Sequence, residues 1–262
     1  MRDLLGPPGA PVVFLLHGLG ATADLNWFPS YRPLSARYRV IAMDHRGHGG
    51  GKRSHRVFRL EDCADDVVEL ADALGVQSFI PVGYSMGGPI AQLVWKRHRS
   101  RVDGLVLCAT AARFASDSEQ RIGSMGLGGL AMASRLTPPA MRRRLVNEMV
   151  SRRDASGPEL WARDQVRRHD LTAVLEAGRA VGRFSSAEWI SSVDAPTAVV
   201  VTSRDTLVSP RRQRALASAI QGATVHPVDA DHDAAVFAAD RFVPALLDAC
   251  QSVVSRLATR VS

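Results

Sequence analysis

Gly83-Tyr84-Ser85-Met86-Gly87 is a G-x-S-x-G pentapeptide that occurs once, between two different hydrophobic patterns. Phe79, Ile80 and Val82 lead into it as a short apolar run, and Ile90, Leu93 and Val94 follow it at helical spacing. A serine placed between a strand and a helix sits on a sharp turn that lifts its hydroxyl clear of a sheet. Glycines at the flanking positions leave space where any Cβ would clash.

Working outward, further apolar runs read as short strands buried on both faces: Val12 to Leu16, Val40 to Met43, Val102 to Leu107, Thr197 to Val201 and, more weakly, Ala223 to Val228. Helical patterns fall between them, over Leu60 to Leu74, Gly87 to His98 and Arg211 to Ile220. A last one runs from Arg241 to Leu257, with Pro244 in its first turn. Strands alternating with helices predict an α/β fold with a doubly wound, mostly parallel sheet. From Arg113 to Ser192 the strand pattern disappears, and helical patterns such as Met125 to Leu136 and Met141 to Met149 take over. The expectation is one domain, with residues 1–112 and 193–262 forming the core and residues 113–192 an inserted helical cap.

A serine hydroxyl is a weak nucleophile near neutral pH. It needs a base within hydrogen-bond reach and an acid that orients the base. Open parallel sheets place such groups on loops at the carboxyl ends of strands. Asp205 follows the strand Thr197 to Val201, and His232 follows the last strand within Asp229-Ala230-Asp231-His232-Asp233. Asp194 precedes its strand and so belongs to the other end of the sheet. Oxyanion donors are expected from the backbone N–H of Met86 and from Leu19 in the loop His17-Gly18-Leu19-Gly20. Trp27 and Tyr84 are candidates for lining a substrate pocket, with core packing as the alternative for each. Met125, Leu127, Leu130 and Met132 are candidates for facing an acyl chain, with cap packing as their alternative.

Composition narrows the field. The 262 residues are 46% hydrophobic and 23% charged, which fits a packed globular chain. No apolar run approaches the roughly 18 residues of a membrane helix. Gly6-Pro7-Pro8-Gly9 interrupts any leader pattern, so the expected location is the cytoplasm. Net charge is +7, and all but Lys52 and Lys96 of the 33 basic residues are arginine. That skew fits a codon bias better than a nucleic-acid stripe, and no nucleic-acid partner is expected. Arg142-Arg143-Arg144, with Arg152-Arg153 nearby, reads as a solvated face; an anionic substrate group or membrane surface is the sharper reading. Cys63, Cys108 and Cys250 are far apart and read as buried free thiols. Asp44, His45 and His48 fit no common zinc spacing, so neither a metal nor another cofactor is expected.

His17-Gly18-Leu19-Gly20, Asp44-His45-Arg46-Gly47-His48-Gly49, the elbow at Ser85, Asp205 and His232 together resemble the α/β-hydrolase superfamily, over nearly the whole chain. The Asp44 stretch is similar to the D-x-R-G-x-G-x-S turn of that superfamily, but Gly50, Gly51, Lys52 and Arg53 intervene before Ser54. The resemblance implies a serine esterase or lipase-like enzyme that cleaves a small-molecule ester or thioester through an acyl-enzyme on Ser85. Acyl transfer, perhydrolysis and carbon–carbon bond hydrolysis use the same triad, and some relatives are non-catalytic binders. Most members carry an N-terminal β-hairpin before the strand ending in His-Gly; the expectation here is that two edge strands are absent or that the true start lies upstream. Tyr38 to Met43 would then be an uncovered edge, paired in a homodimer or capped by the N-terminal tail.

Overall fold

The computed structural model describes residues 1–114, 117–151 and 158–258. The apolar runs become strands of one seven-stranded sheet, in the spatial order β1-β3-β2-β4-β5-β6-β7. In chain order the elements are β1 (Arg2–Leu4), β2 (Val12–Leu16), α1 (Ala23–Ser35), β3 (Arg39–Met43), α2 (Leu60–Ala73), β4 (Ile80–Tyr84), α3 (Gly87–Arg97) and β5 (Leu105–Cys108). Then come α4 (Asp117–Leu136), α5 (Pro139–Ser151), α6 (Pro158–Arg167), α7 (Leu171–Arg183), β6 (Thr197–Thr202), α8 (Pro210–Ala219), β7 (Thr224–Val228), α9 (Ala234–Phe237) and α10 (Ala239–Ala258).

Strands β2 to β7 run parallel, and their side chains alternate between two apolar layers. Phe14, Leu16, Ile41, Leu107 and Val199 face one side, with α2, α3 and α8. Val13, Leu15, Val40, Val106 and Val200 face the other, with α1 and α10. Period-two alternation with both faces apolar is what a sheet covered by helices on both sides requires. Helices α4 to α7 lie between β5 and β6 and form the cap. Among the described residues no helix is long and apolar enough to cross a membrane.

The expected open edge is not open. β1 pairs antiparallel with β3, setting Arg2 opposite Ala42, Asp3 opposite Ile41 and Leu4 opposite Val40. The ion pairs Arg39–Asp3 at 2.8 Å and Arg2–Asp24 at 2.7 Å pin it in place. The N-terminal tail therefore takes the position that a second copy would need, and the homodimer through Tyr38 to Met43 loses its template. One strand of the hairpin expected to be missing is also supplied.

Helix α1 has no counterpart in the sequence reading, because Pro29 and Pro33 interrupt its pattern. Its start is secured instead, since Thr22 Oγ1 accepts from Leu25 N–H at 3.1 Å and Asp44 Oδ1 from Ala23 N–H at 2.8 Å. Helix α10 opens earlier than its pattern, at Ala239, so Pro244 lies inside it rather than in its first turn.

Candidate active site

Ser85 ends the central strand β4 with φ at 50°, a left-handed backbone that a serine adopts only when its surroundings enforce it. Packing does enforce it. A Cβ on Gly83 would sit 2.2 Å from Gly87 O, and one on Gly87 would sit 2.1 Å from Leu16 O. Ser85 N–H donates to Cys108 O at 2.9 Å, and Thr110 Oγ1–H donates to Ser85 O at 2.9 Å, so the turn is fixed against β5.

The loops after β6 and β7 bring Asp205 and His232 to this serine. Ser85 Oγ and His232 Nε2 are 2.9 Å apart, and His232 Nδ1 and Asp205 Oδ2 are 2.8 Å apart. Asp205 is an acceptor on every side. Its Oδ1 takes the N–H groups of Leu207 at 2.9 Å and Val208 at 2.7 Å. Its Oδ2 takes Thr202 Oγ1–H at 2.7 Å and Gln213 Nε2–H at 3.0 Å besides the imidazole. Burial alone would raise this carboxyl's pKa; the bonds from His232, Thr202 and Val208 outweigh it and hold the pKa below the usual value. An ionised acceptor fixes the proton of His232 on Nδ1 and leaves Nε2 free to accept from Ser85 Oγ–H.

Asp231, unassigned from the sequence, and Tyr84, a pocket candidate, hold the imidazole loop. Asp231 Oδ1 accepts from Thr206 N–H at 2.9 Å and His232 N–H at 2.7 Å, tying the two loops together. Tyr84 O–H donates to His232 O at 2.6 Å, and burial pushes its phenol up, so it stays a donor. The signal for Asp231 in the sequence is its place beside His232. Asp194 pairs with Arg99 and Asp229 with Arg204, both away from His232.

The loop after β2 faces the serine from the neighbouring strand, where connections from β2 and β4 diverge and leave a crevice. Gly18 lies so close that its Cβ would stand 3.4 Å from Ser85 Cβ. The backbone N–H groups of Leu19 and Met86 have no hydrogen-bond partner among the described residues. The loop itself is tied down. Gly18 N–H donates to Asn26 Oδ1 at 2.9 Å, and His17 Nε2 accepts His45 N–H at 2.9 Å. From the cap, His169 Nδ1 accepts Gly49 N–H at 2.9 Å, which puts its proton on Nε2 to donate to Gly20 O at 3.0 Å.

His17, His45 and His48 form a buried cluster, with ring centroids 4.3 Å (His17–His45) and 5.3 Å (His17–His48) apart. Burial drives all three pKa values down, to about 3 for His45 and His48, so the rings are neutral. Cys63, Cys108 and Cys250 are buried free thiols.

A depression of about 220 Å³ opens on Ser85 and His232, walled by Leu19, Leu25, Tyr84, Val236 and Phe237. Tyr84 thus reaches it, but Trp27 does not. Trp27 is fully buried against Tyr84 and Phe242, because α1 turns its indole into the core rather than toward the loop. In the cap, Leu130 is 59% and Met132 62% exposed, so neither lines the depression. Leu127 lies near Gly178 of α7, and the side chain of Met125 is outside the described residues. Arg144 is exposed and pairs with Glu148, while Arg142 bonds Thr172. Arg152, Arg153 and the side chain of Arg143 are outside the described residues.

The family model described as alpha/beta hydrolase fold matches residues 11–239, and the chain belongs to that family. It is similar to the pimeloyl-[acyl-carrier protein] methyl ester esterase of Neisseria meningitidis, 27% identical over 226 residues, covering 82% of this chain and 69% of that one. A shorter match, 43% identical over 103 residues, covers 38% of this chain and 36% of the magnesium-chelatase 30 kDa subunit of Rhodobacter capsulatus. The chain spans less than half the length of several curated relatives it matches. Among solved structures, the enol-lactonase of Burkholderia xenovorans superposes with a TM-score of 0.75 at 26% identity, covering 95% of each chain. Family and fold together place the chain among esterase-like hydrolases of small acyl substrates.

Proposed function

We propose that the protein is a serine hydrolase that cleaves a small carboxylic ester or thioester through an acyl-enzyme on Ser85. The observation that carries this reading is the unbroken line from Ser85 Oγ to His232 Nε2 at 2.9 Å and from His232 Nδ1 to Asp205 Oδ2 at 2.8 Å. Ser85 Oγ attacks the carbonyl carbon as His232 Nε2 takes its proton. Asp205 stays ionised and stabilises the imidazolium. The carbonyl oxygen becomes an oxyanion that accepts from Leu19 and Met86 N–H, whose lack of other partners supports this role. His232 then protonates the leaving alkoxide or thiolate, and a water activated by the same imidazole releases the acyl group.

The apolar walls and the volume of about 220 Å³ favour a short acyl or alcohol group at the serine. The test is turnover of p-nitrophenyl acetate and butyrate by wild type and Ser85→Ala. The expected result is a kcat loss of about 10⁴-fold or more in the variant, with unchanged folding. A fluorophosphonate should label wild type at Ser85 alone. Full activity of Ser85→Ala overturns the reading, and absence of an adduct on folded wild type favours a binding protein.

A further inference from the structure

Four arginines gather where the reaction proposed for Ser85 makes no use of them. A cavity of about 330 Å³ lies between the turn after β3 and the cap, and its wall carries Arg53, Arg142, Arg167, Arg168, His169 and Asp170. Several arginines elsewhere pair with acids: Arg2 with Asp24, Arg46 with Asp62 and Asp66, Arg97 with Asp65, Arg135 with Glu176. Among the described residues lining this cavity, four are arginines and one is a carboxylate. That carboxylate is already engaged, since Asp170 Oδ1 accepts from Thr172 N–H at 2.9 Å and Ala173 N–H at 3.3 Å as the cap of α7. A second acid nearby, Asp164, pairs with Arg168. A codon bias raises the number of arginines but does not make four converge.

Two of these side chains are held by neutral acceptors. Arg53, from the insertion Gly50 to Arg53, donates to Gly51 O at 3.0 Å, Gly49 O at 2.6 Å and Arg168 O. Arg142 Nη1 donates to Thr172 Oγ1 at 2.7 Å, with Asp170 Oδ1 4.0 Å away. Carbonyls and hydroxyls orient a guanidinium without cancelling its charge, so little ordering cost remains when an anion arrives. Forks approaching from several elements suit a tetrahedral anion with three or four oxygens better than a planar carboxylate.

We propose that this cavity binds the phosphoryl group of a small phosphate-bearing molecule, and that occupancy reaches the oxyanion-donor loop through His169. His169 is part of the cavity wall, and its Nε2–H holds Gly20 O at 3.0 Å, next to Leu19. The volume exceeds that of a bare phosphate and leaves room for part of the molecule that carries it. The site stands independently of the hydrolase reading, since none of its residues contacts Ser85.

The test titrates the full chain with inorganic pyrophosphate by calorimetry at fixed ionic strength, in wild type and in Ser85→Ala. One saturable site is expected in both, weakened about tenfold or more by Arg142→Gln and by Arg53→Gln. Arg144→Gln, on the same helix but exposed, should bind as wild type does. Acetate should not compete. At saturating pyrophosphate, p-nitrophenyl acetate turnover by wild type should change about twofold or more, and this response should vanish in Arg142→Gln. Absence of saturable binding, equal weakening by Arg144→Gln, or competition by acetate overturns the site. Turnover indifferent to saturating pyrophosphate overturns the coupling. Binding in Ser85→Ala keeps these outcomes separate from any failure of the hydrolase reading.

Discussion

Asp205 accepts five hydrogen bonds at the end of β6, whereas α4 and α5 in the cap leave Leu130, Met132, Leu136, Met141 and Leu145 facing water. The difference separates two tasks. Around Ser85, each group is set by the end of a buried strand and by neighbours that leave it one orientation. The arrangement of Ser85, His232 and Asp205 therefore needs no substrate to form it. The cap is built from helices whose apolar faces are incompletely covered, so the contacts that would select a substrate are set by weaker packing.

The sharpest way to break this contrast is Asp205→Asn. The carboxamide can still accept from Leu207 and Val208 N–H, but it presents N–H groups to His232 Nδ1. The imidazole proton moves to Nε2 and blocks acceptance from Ser85. A kcat loss near 10⁴-fold with near-native melting is expected in ester assays. Loss of folding instead would show that the acid is chiefly structural.

Next comes Trp27→Ala, which removes a fully buried indole from the core. A loss of about 3–5 kcal/mol in urea unfolding is expected. A loss under about 1 kcal/mol would mean that α1 packs as loosely as the cap.

The buried histidines give a pH-dependent form of the same contrast. Burial lowers the folded-state pKa of His45 and His48 to about 3, while in the unfolded chain they titrate near 6.5. Between those values the unfolded state binds protons that the folded state refuses. Stability is therefore lost as pH falls below about 6.5 and continues to fall toward 3. Urea melts at pH 7 and pH 5.5 should differ by about 2.5 kcal/mol from this pair alone. Equal midpoints would show the cluster to be hydrated.

The smallest effect is expected in the cap, where Met132→Ser should shift stability by no more than about 0.5 kcal/mol. A large KM change for longer esters in that variant would sharpen the contrast by placing Met132 over bound substrate.

Legibility in the sequence follows the same division. Ser85 and Asp205 were placed by the continuous apolar runs they follow, the strongest local signal of a buried strand, and His232 by the weaker run Ala223 to Val228. Helix α1 was not readable, since Pro29 and Pro33 interrupt its pattern and its stability comes from Thr22, Asp44 and the core contacts of Trp27. Three residues of β1 carry no periodicity at all; only the partner strand makes them a strand. Trp27 was ambiguous because pocket and core both favour an indole, and only the direction of α1 separates them. The roles of Asp231 and His169 depend on contacts between distant loops, which spacing along the chain does not report.

The two sheet margins have a practical consequence. β1 occupies one, and at the other Pro227 sits within β7, where it has no N–H to offer an incoming strand. Self-templating is thus limited by a very short edge strand on one side and by a missing donor on the other. That edge strand is three residues long and begins at Arg2. A purification handle or surface tether fused there pulls on the seal of the sheet, and deleting residues 1–5 should produce concentration-dependent aggregation. A handle placed after α10 loads only a helix end, and should leave the protein free of that aggregation.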